Sequence, residues 1–297
     1  MESSLLKVYA LILNYNSADD SIALFKNLKE KQSEYLTVLV IDNNSIEIDS
    51  CKLRENIPPE NLIFNKKNLG YAAGNNVGIA LALKANANYV WILNPDVRVE
   101  KDSLSLLIET FENDSTLAAV GPRIIQRENL EKIFSDGEKI EMDEKTVTSH
   151  KNHNLEVARA AKGIDYEIDY IAGSSILLNC EAIREIGKLP EEYFLYFEET
   201  DWCFNAQKYN WKLAINSNSV VYNLTSIKSS IFYFYFMRNK LIFCKKYHPN
   251  YRKVRNYYFQ DLIKEIVFRT KGKYLKPYFY SRLKGVISGI IKNSLKS

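Results

Sequence analysis

Residues 89–96, Tyr89-Val90-Trp91-Ile92-Leu93-Asn94-Pro95-Asp96, decide how the chain is read. Tyr89 to Leu93 is an apolar run rich in β-branched and aromatic side chains, which is the make-up of a buried strand, and Asn-Pro-Asp ends it. Upstream, Gly74 to Ala85 has the pattern of a helix, Leu62-Ile63-Phe64 of a short strand, and Leu36 to Ile41 of a second buried strand. Val8 to Leu13 is the first strand. Ser17 follows it as a helix N-cap with Asp20 three residues on, and Ile22, Phe25 and Leu28 fall at helical spacing. Strand and helix alternating in this way predict an α/β fold whose mostly parallel sheet carries helices on both faces.

In such sheets ligands bind beyond the carboxyl ends of the strands. Those ends are polar here: Asn14-Tyr15-Asn16, Asp42-Asn43-Asn44-Ser45, Asn65 to Gly70, and Asn94-Pro95-Asp96. Each cluster alone reads as ordinary turn chemistry. Their recurrence after successive strands points to one ligand-binding edge. Downstream, Leu104, Leu107, Ile108 and Phe111 share a helical face, and then the pattern dissolves from Gln126 to Ile168 into a charged stretch expected to be a functional loop or partly disordered. His150 and His153 lie in it, and without a carboxylate or thiol at ligand spacing they read as solvated histidines rather than a metal site. Order resumes with a strand through Leu178, a helix near Glu181 to Ile186, a helix toward Lys208, and late strands at Lys212 to Ile215 and Ser219 to Tyr222.

The 297 residues are 46% hydrophobic and 26% charged, which excludes a disordered, collagenous or disulfide-scaffold chain. The net charge of +4 hides an asymmetry: residues 227–297 carry 17 Lys/Arg against Asp261 and Glu265, a net of +15, so residues 1–226 carry −11. An acidic body with a basic tail predicts different partners for the two parts, divided as 1–226 and 227–297. The four cysteines show no C-x-x-C pair and suggest reduced thiols. The start, MESSLLKVYALILNYN, lacks the basic and apolar regions of a secretory signal, and the longest apolar run of the tail, Ile231 to Met237, stops at Arg238. The expectation is a cytoplasmic protein, peripheral at most on the inner face of the membrane.

Two acidic features carry chemistry. Asp96 follows a proline that keeps the backbone extended at a strand end, where one carboxylate suits Mg²⁺ or Mn²⁺ bridging a diphosphate. Glu198-Glu199-x-Asp201 sits beside Phe194, Tyr196, Phe197 and Trp202, and crowded carboxylates among aromatics are candidates for a raised pKa and general-base work. Capping of the following helix is an equal reading for Asp201.

Taken in order, Tyr15-Asn16, Ile-Asp42-Asn43-Asn44-Ser45, Asn68-Leu-Gly70-Tyr-Ala-Ala-Gly74-Asn75-Asn76-Val-Gly78, Leu-Asn94-Pro95-Asp96-Val, Ala-Gly173-Ser174, Phe-Glu198-Glu199-Thr-Asp201 and Arg238-Asn239 resemble glycosyltransferase family 2, in its rhamnosyltransferase-like branch. The resemblance implies a GT-A fold, a Rossmann-like domain with a mostly parallel sheet, here followed by a basic, aromatic-rich helical extension. It also implies a nucleotide-diphosphate sugar donor, a divalent metal and inversion at the anomeric carbon. Carried over, Asp42 accepts from the nucleotide base, Tyr15, Asn16 and Asn44 line the base and ribose pocket, and Asn68, Gly70 and Asn76 shape its wall. Asn94 and Asp96 replace the family's metal-binding D-x-D, and Glu199 is the base, flanked by Glu198 and Asp201. Gly173, Ser174 and Trp202 face the acceptor. Asn223 stands where many relatives place a metal-liganding histidine, a weaker ligand for Mn²⁺ than imidazole.

The tail combines 16 Phe/Tyr with its cations. That mixture fits an anionic headgroup boundary better than a helical cap on the body, and better than nucleic acid. The expected activity is sugar transfer to a glycan or polyprenyl-linked acceptor for bacterial cell-surface polysaccharide, from a dTDP-rhamnose-like or UDP-sugar donor. A sugar nucleotidyltransferase would carry a Gly-rich basic loop where Asn14-Tyr15-Asn16-Ser17 stands, and a non-catalytic nucleotide-sugar binder would have no need of Asp96 and Glu199. No G-x-G-x-x-G follows the first strand, which argues against a Rossmann oxidoreductase.

Overall fold

The computed structural model describes residues 6–31, 35–225, 228–270 and 278–294, the side chains of 268–270 excepted. Two compact units divide the chain, Met1–Lys139 with His150–Glu191 and Glu198–Thr225, and Ile140–Ser149 with Glu192–Phe197 and Ser226–Ser297. The sequence boundary at 226 lies outside the described residues.

In the first unit the chain runs β1 (Val8–Asn14), α1 (Ala18–Lys31), β2 (Leu36–Asp42), α2 (Glu47–Asn56), β3 (Leu62–Phe64), α3 (Gly70–Lys84) and β4 (Tyr89–Leu93). It continues through β5 (Arg98–Val99), α4 (Ser103–Asn113), β6 (Leu117–Gln126), β7 (Asn129–Ser135), β8 (Glu138–Ile140), β9 (Thr148–His150) and β10 (Ile164–Asp165). β11 (Ser175–Asn179), α5 (Cys180–Ile186), α6 (Glu198–Lys208) and β12 (Lys212–Asn223) complete it. β8 pairs with β9 in a separate two-stranded sheet whose tip belongs to the second unit.

The main sheet runs β10-β12-β6-β11-β4-β1-β2-β3, with β5 beside β12 and β7 beside β6. β1 pairs in parallel with both β2 and β4, and β2 with β3. The chain therefore winds outward from β1 to β3 and returns to β4 on the other side of β1. That reversal is a topological switch point, and it opens a crevice beyond Asn14 and Leu93. β11 enters antiparallel between β4 and β6, so the sheet is mixed beyond its parallel half. The two late strands expected from the sequence are one strand, β12, whose register against β6 shifts between Asn216 and Val220.

The core lies between this sheet and its helices; Val8, Ala10, Leu11, Ile12, Val90 and Trp91 are fully buried. Removing each such aliphatic side chain from water contributes about 1.5–3 kcal/mol. α3 approaches closely because Gly78 faces β1: a Cβ there would stand 2.6 Å from Leu11 Cδ2 and 2.8 Å from Ile41 Cδ1.

The stretch 126–168, expected as loop, is ordered around buried charge. Arg123 Nε and Nη2 donate to Asp136 at 2.8 and 2.7 Å, Asn152 Nδ2 donates to Asp136 Oδ2 at 2.9 Å, and Arg123 Nη2 reaches the Ala161 carbonyl at 2.7 Å. His150 and His153 are not simply solvated. His150 Nδ1 lies 2.6 Å from Glu138 Oε2, and His153 Nδ1 lies 2.8 Å from the Phe134 carbonyl.

The second unit holds α7 (Ser230–Tyr247), α8 (Tyr251–Thr270) and α9 (Phe279–Ser294). Ser229 caps α7, its Oγ accepting from Phe232 N at 3.3 Å. α7 and α9 pack backbone to backbone because a Cβ on Gly285 would stand 2.5 Å from the Phe234 carbonyl. The aromatic run of α7 is largely spent inside this unit: Tyr235 stacks on Phe194, Phe232 meets Tyr196, and Phe236 and Phe243 meet Phe197. Phe194, Tyr196 and Phe197 all have left-handed backbone, with φ of 67°, 69° and 76°. For residues with a Cβ that conformation costs roughly 1–2 kcal/mol each.

Candidate active site

The crevice at the switch point is walled by an amide and hydroxyl network. Asn14, buried at the end of β1, donates through Nδ2 to Asp42 Oδ1 at 2.8 Å and Ser45 Oγ at 2.9 Å, and its Oδ1 accepts from Ser21 Oγ. Asp42 is 1% exposed, and its Oδ2 accepts from Ser45 N and Ser50 Oγ at 3.2 and 3.1 Å. A carboxylate with both oxygens occupied braces the loop, so a base N–H would have to share those oxygens with the donors already there. Asn16, at φ 52°, accepts from Ile46 N through Oδ1 and donates its own N–H to Ser45 Oγ, lacing the loops after β1 and β2 together. Tyr15, 51% exposed, and Asn44 stand free at the rim.

Asn43 organises the next loop. Its Nδ2 donates to Asn68 Oδ1 at 3.0 Å and the Gly70 carbonyl at 3.2 Å, and its Oδ1 accepts from Asn65 Nδ2 and Leu69 N. Asn68 Oδ1 accepts Gly70 N at 2.8 Å, which starts α3. The Asn76 amide, expected at the donor pocket wall, bonds the Leu189 carbonyl, Leu189 N and Glu191 Oε1 and so clamps the loop at 189–191.

At the end of β4, Asn94 N donates to the Ser174 carbonyl at 2.9 Å, which stitches Asn-Pro-Asp to Gly173-Ser174 across 80 positions of sequence. Arg127 holds both expected metal ligands by their main chain: its Nη1 donates to the Asp96 carbonyl at 2.7 Å and its N–H to the Asn223 carbonyl at 2.9 Å. Arg98 Nη2 pairs with Asp20 at 2.9 Å. Burial, and then the Asp20 charge, push the Asp96 carboxyl up, opposed by Arg127 and Arg98. The Asn223 Oδ1 is buried without a partner. A carboxylate short of positive charge and an orphaned amide oxygen fit a hard divalent cation. Among the described residues no group of three or more His, Cys, Asp or Glu is arranged for a metal. Sequence reasoning missed Arg127, Arg98 and Asp20, because nothing in their spacing marks them as neighbours.

The acidic cluster opens α6. Glu199 is the perturbed group: burial first, and then the charge of Glu138, raise its pKa from 4.5 to about 7, against the pull of the backbone amides of Glu199, Thr200 and Gly173. Its Oε2 is shielded from water and unpartnered. The Tyr71 hydroxyl donates to the Gly173 carbonyl at 2.5 Å, and a Cβ on Gly173 would stand 3.3 Å from that hydroxyl and 3.4 Å from Glu199 Cδ. Burial first, and then the charges of Glu199, Glu198 and Asp96, hold the Tyr71 phenol well above its usual range. Tyr71 and Glu199 meet at Gly173. Tyr71 was missed because a tyrosine in a helical motif does not announce a partner 102 positions away. The Ser174 Oγ is buried without a partner, as a ligand-facing hydroxyl would be. Glu198 and Asp201 are buried in the first turn of α6. Trp202, expected to face the acceptor, is 2% exposed and its Nε1 donates to the Gly187 carbonyl at 2.9 Å.

The family model described as glycosyl transferase family 2 matches residues 9–187. A low-salt glycan biosynthesis hexosyltransferase of Haloferax volcanii is 26% identical over 296 residues, covering 93% of this chain and 90% of the relative. The dTDP-rhamnosyl transferase RfbF of Shigella flexneri is 26% identical over 298 residues, covering 94% of this chain and 95% of its own. Among solved structures, GalNAc-T7 with UDP, GalNAc and Mn²⁺ superposes with TM-score 0.67 at 16% identity, over 89% of this chain and 51% of that one. The mannosyltransferase PcManGT of Pyrobaculum calidifontis with GDP-Man and Mn²⁺ gives TM-score 0.57 at 13% identity, over 99% and 89%. The shared fold is the GT-A arrangement of nucleotide-sugar transferases.

Proposed function

The chain belongs to glycosyl transferase family 2, and from that premise we propose that it is an inverting transferase moving a hexosyl or deoxyhexosyl group from a nucleotide-diphosphate donor to a glycan or polyprenyl-linked acceptor. The observation that carries the reading is Glu199, a shielded carboxyl whose pKa is raised to about 7 beside Gly173. A base poised near neutrality suits proton removal from a hydroxyl. Glu199 takes the acceptor proton as the acceptor oxygen bonds to C1 from the face opposite the leaving group; the bond from C1 to the diphosphate breaks, and the nucleoside diphosphate leaves with the electron pair. Asp96 and the Asn223 side-chain oxygen would hold a divalent cation that offsets charge on the departing diphosphate. Tyr71 fixes the Gly173 carbonyl, and Tyr15 and Asn44 at the rim meet the nucleoside.

The names of the two sequence relatives favour a role in glycan biosynthesis, and that of the second a dTDP-linked donor. A screen of dTDP-, UDP- and GDP-sugars by thermal shift and donor hydrolysis, with Mg²⁺ and with Mn²⁺, tests the reading; no shift and no hydrolysis with any donor would remove it.

The same proposal assigns the second unit to an anionic membrane surface. Among the described residues no helix is long and apolar enough to cross a bilayer. The outer stripe of α9 nevertheless exposes Tyr280 (60%), Ile287 (47%) and Ile291 (54%), with Lys284 and Lys292 beside the two isoleucines around an apolar groove. An exposed apolar stripe edged by lysines fits a headgroup boundary. Because the α7 aromatics pack internally, this stripe replaces them as the docking face. Flotation with phosphatidylglycerol vesicles should fall sharply for Ile287→Asp with Ile291→Asp, and undiminished flotation would refute the assignment.

A further inference from the structure

The segment 192–197 lies immediately before the acidic cluster, and three of its residues have left-handed backbone. Left-handed residues turn their carbonyls away from any helix or strand ladder, so the segment needs donors from elsewhere. Two adjacent residues of α7 supply them. Asn239, fully buried, places Nδ2 at 2.9 Å from the Tyr193 carbonyl, 2.6 Å from that of Leu195 and 2.8 Å from that of Tyr196. Arg238 Nη2 donates to the Glu192 and Tyr193 carbonyls at 2.7 and 2.8 Å. Arg238 Nε also donates to Asn239 Oδ1 at 2.9 Å, which fixes the amide with its NH₂ toward the segment. Lys292 Nζ adds a bond to the Glu192 carbonyl at 2.6 Å, and Lys246 pairs with the Glu192 carboxylate at 2.6 Å.

We propose that Arg238 and Asn239 are positioning residues for the transfer reaction, holding residues 192–197 as a strap that sets the start of α6 and with it the Glu199 side chain. The link is covalent: Phe197 at φ 76° is joined to Glu198, and Glu199 follows. Relaxing φ at Tyr196, whose flanking peptide planes carry the held Leu195 and Tyr196 carbonyls, from 69° to the usual value near −60° would turn the following chain by about 130°. Aromatic stacking alone would not prevent this, since rings can slide. Hydrogen bonds to successive carbonyls fix the peptide planes themselves.

This inference rests on Glu199 being the base. Asn239→Ala should leave the donor KM within about threefold and lower kcat by roughly 10- to 100-fold, the cost of a misplaced catalytic group. Glycine adopts positive φ without steric cost, so adding Tyr196→Gly to Asn239→Ala should restore kcat at least about fivefold, with Tyr196→Gly alone as control. Unchanged kcat in Asn239→Ala, a parallel loss of donor binding and thermal stability, or a double variant no faster than the single would each overturn the strap. Glu199→Gln separates the two readings: if it retains full turnover, the base is wrong; if it is inactive while Asn239→Ala is normal, only the strap is wrong.

Discussion

Glu199→Gln should make the protein slower and, above neutrality, more stable. Its carboxyl moves from 4.5 to about 7 on folding, with burial as the main cause. The folded state therefore holds this proton more tightly than the unfolded state. The resulting stability is complete below pH 4.5 and is lost as pH rises through 7. At pH 8 the ionised form costs up to ~3 kcal/mol, from 1.36 kcal/mol for each pH unit of displacement. Glutamine keeps the shape and never ionises. The variant should unfold at a higher temperature than wild type at pH 8, by about 2 °C for each kcal/mol, and at the same temperature at pH 4.5. Loss of a general base should lower kcat by about 10²- to 10⁴-fold. In wild type, kcat/KM should rise roughly tenfold between pH 6 and pH 8 as the base ionises. Calorimetry at the two pH values and initial rates with the best donor suffice. A variant that turns over normally, or whose melting temperature tracks wild type at both pH values, would refute the placement of this carboxyl.

Asp96→Ala should abolish the metal-dependent part of the donor-induced thermal shift while the free protein keeps its melting temperature; a retained metal-dependent shift would move the cation elsewhere. Tyr71→Phe removes the donor to the Gly173 carbonyl and should cost about 1 kcal/mol in urea unfolding, with a several-fold fall in kcat, and unaltered rates would leave the tyrosine a packing residue. Gly78→Ala should destabilise by ~1–3 kcal/mol, since the added methyl meets Leu11 and Ile41; an unchanged urea midpoint would mean that α3 can lift away from β1. Asn76→Ala strips partners from Leu189 and Glu191 and should lower stability by ~1–3 kcal/mol without changing donor affinity.

The parallel half of the sheet was legible because β1, β2 and β4 are apolar runs with polar ends, and the four polar clusters do follow strands. α2 was not, since in Glu47–Asn56 only Ser50 and Leu53 are buried and no apolar stripe signals a helix. The stretch 126–168 was misread for a related reason: its organiser is the buried Arg123–Asp136 pair, which looks like surface charge in a sequence. The acidic cluster at 198–201 was legible because crowded acids among aromatics leave a local trace, whereas Glu199 was singled out within it only by the family resemblance. Arg127, Tyr71 and Glu138 were not legible, because each acts on a residue brought near only by the sheet. The loop partners of Asn76 and Trp202 were equally illegible: both residues lie inside recognisable motifs, while their hydrogen bonds go to Leu189, Glu191 and Gly187.

The antiparallel entry of β11 has a consequence for how the chain is made. β1 to β4 can pair through short crossovers as they emerge, but the second edge of β4, Tyr89 to Leu93, waits for Ser175 to Asn179. At roughly 5–20 residues per second, the intervening 80 or so residues take about 4–16 s to synthesise. During that interval the apolar strand has one bare edge, the kind that recruits other strands. The Asn94 to Ser174 bond that completes the crevice cannot form before residue 174 has emerged, and a nascent chain halted before residue 175 should be a client for chaperones that shield extended apolar segments.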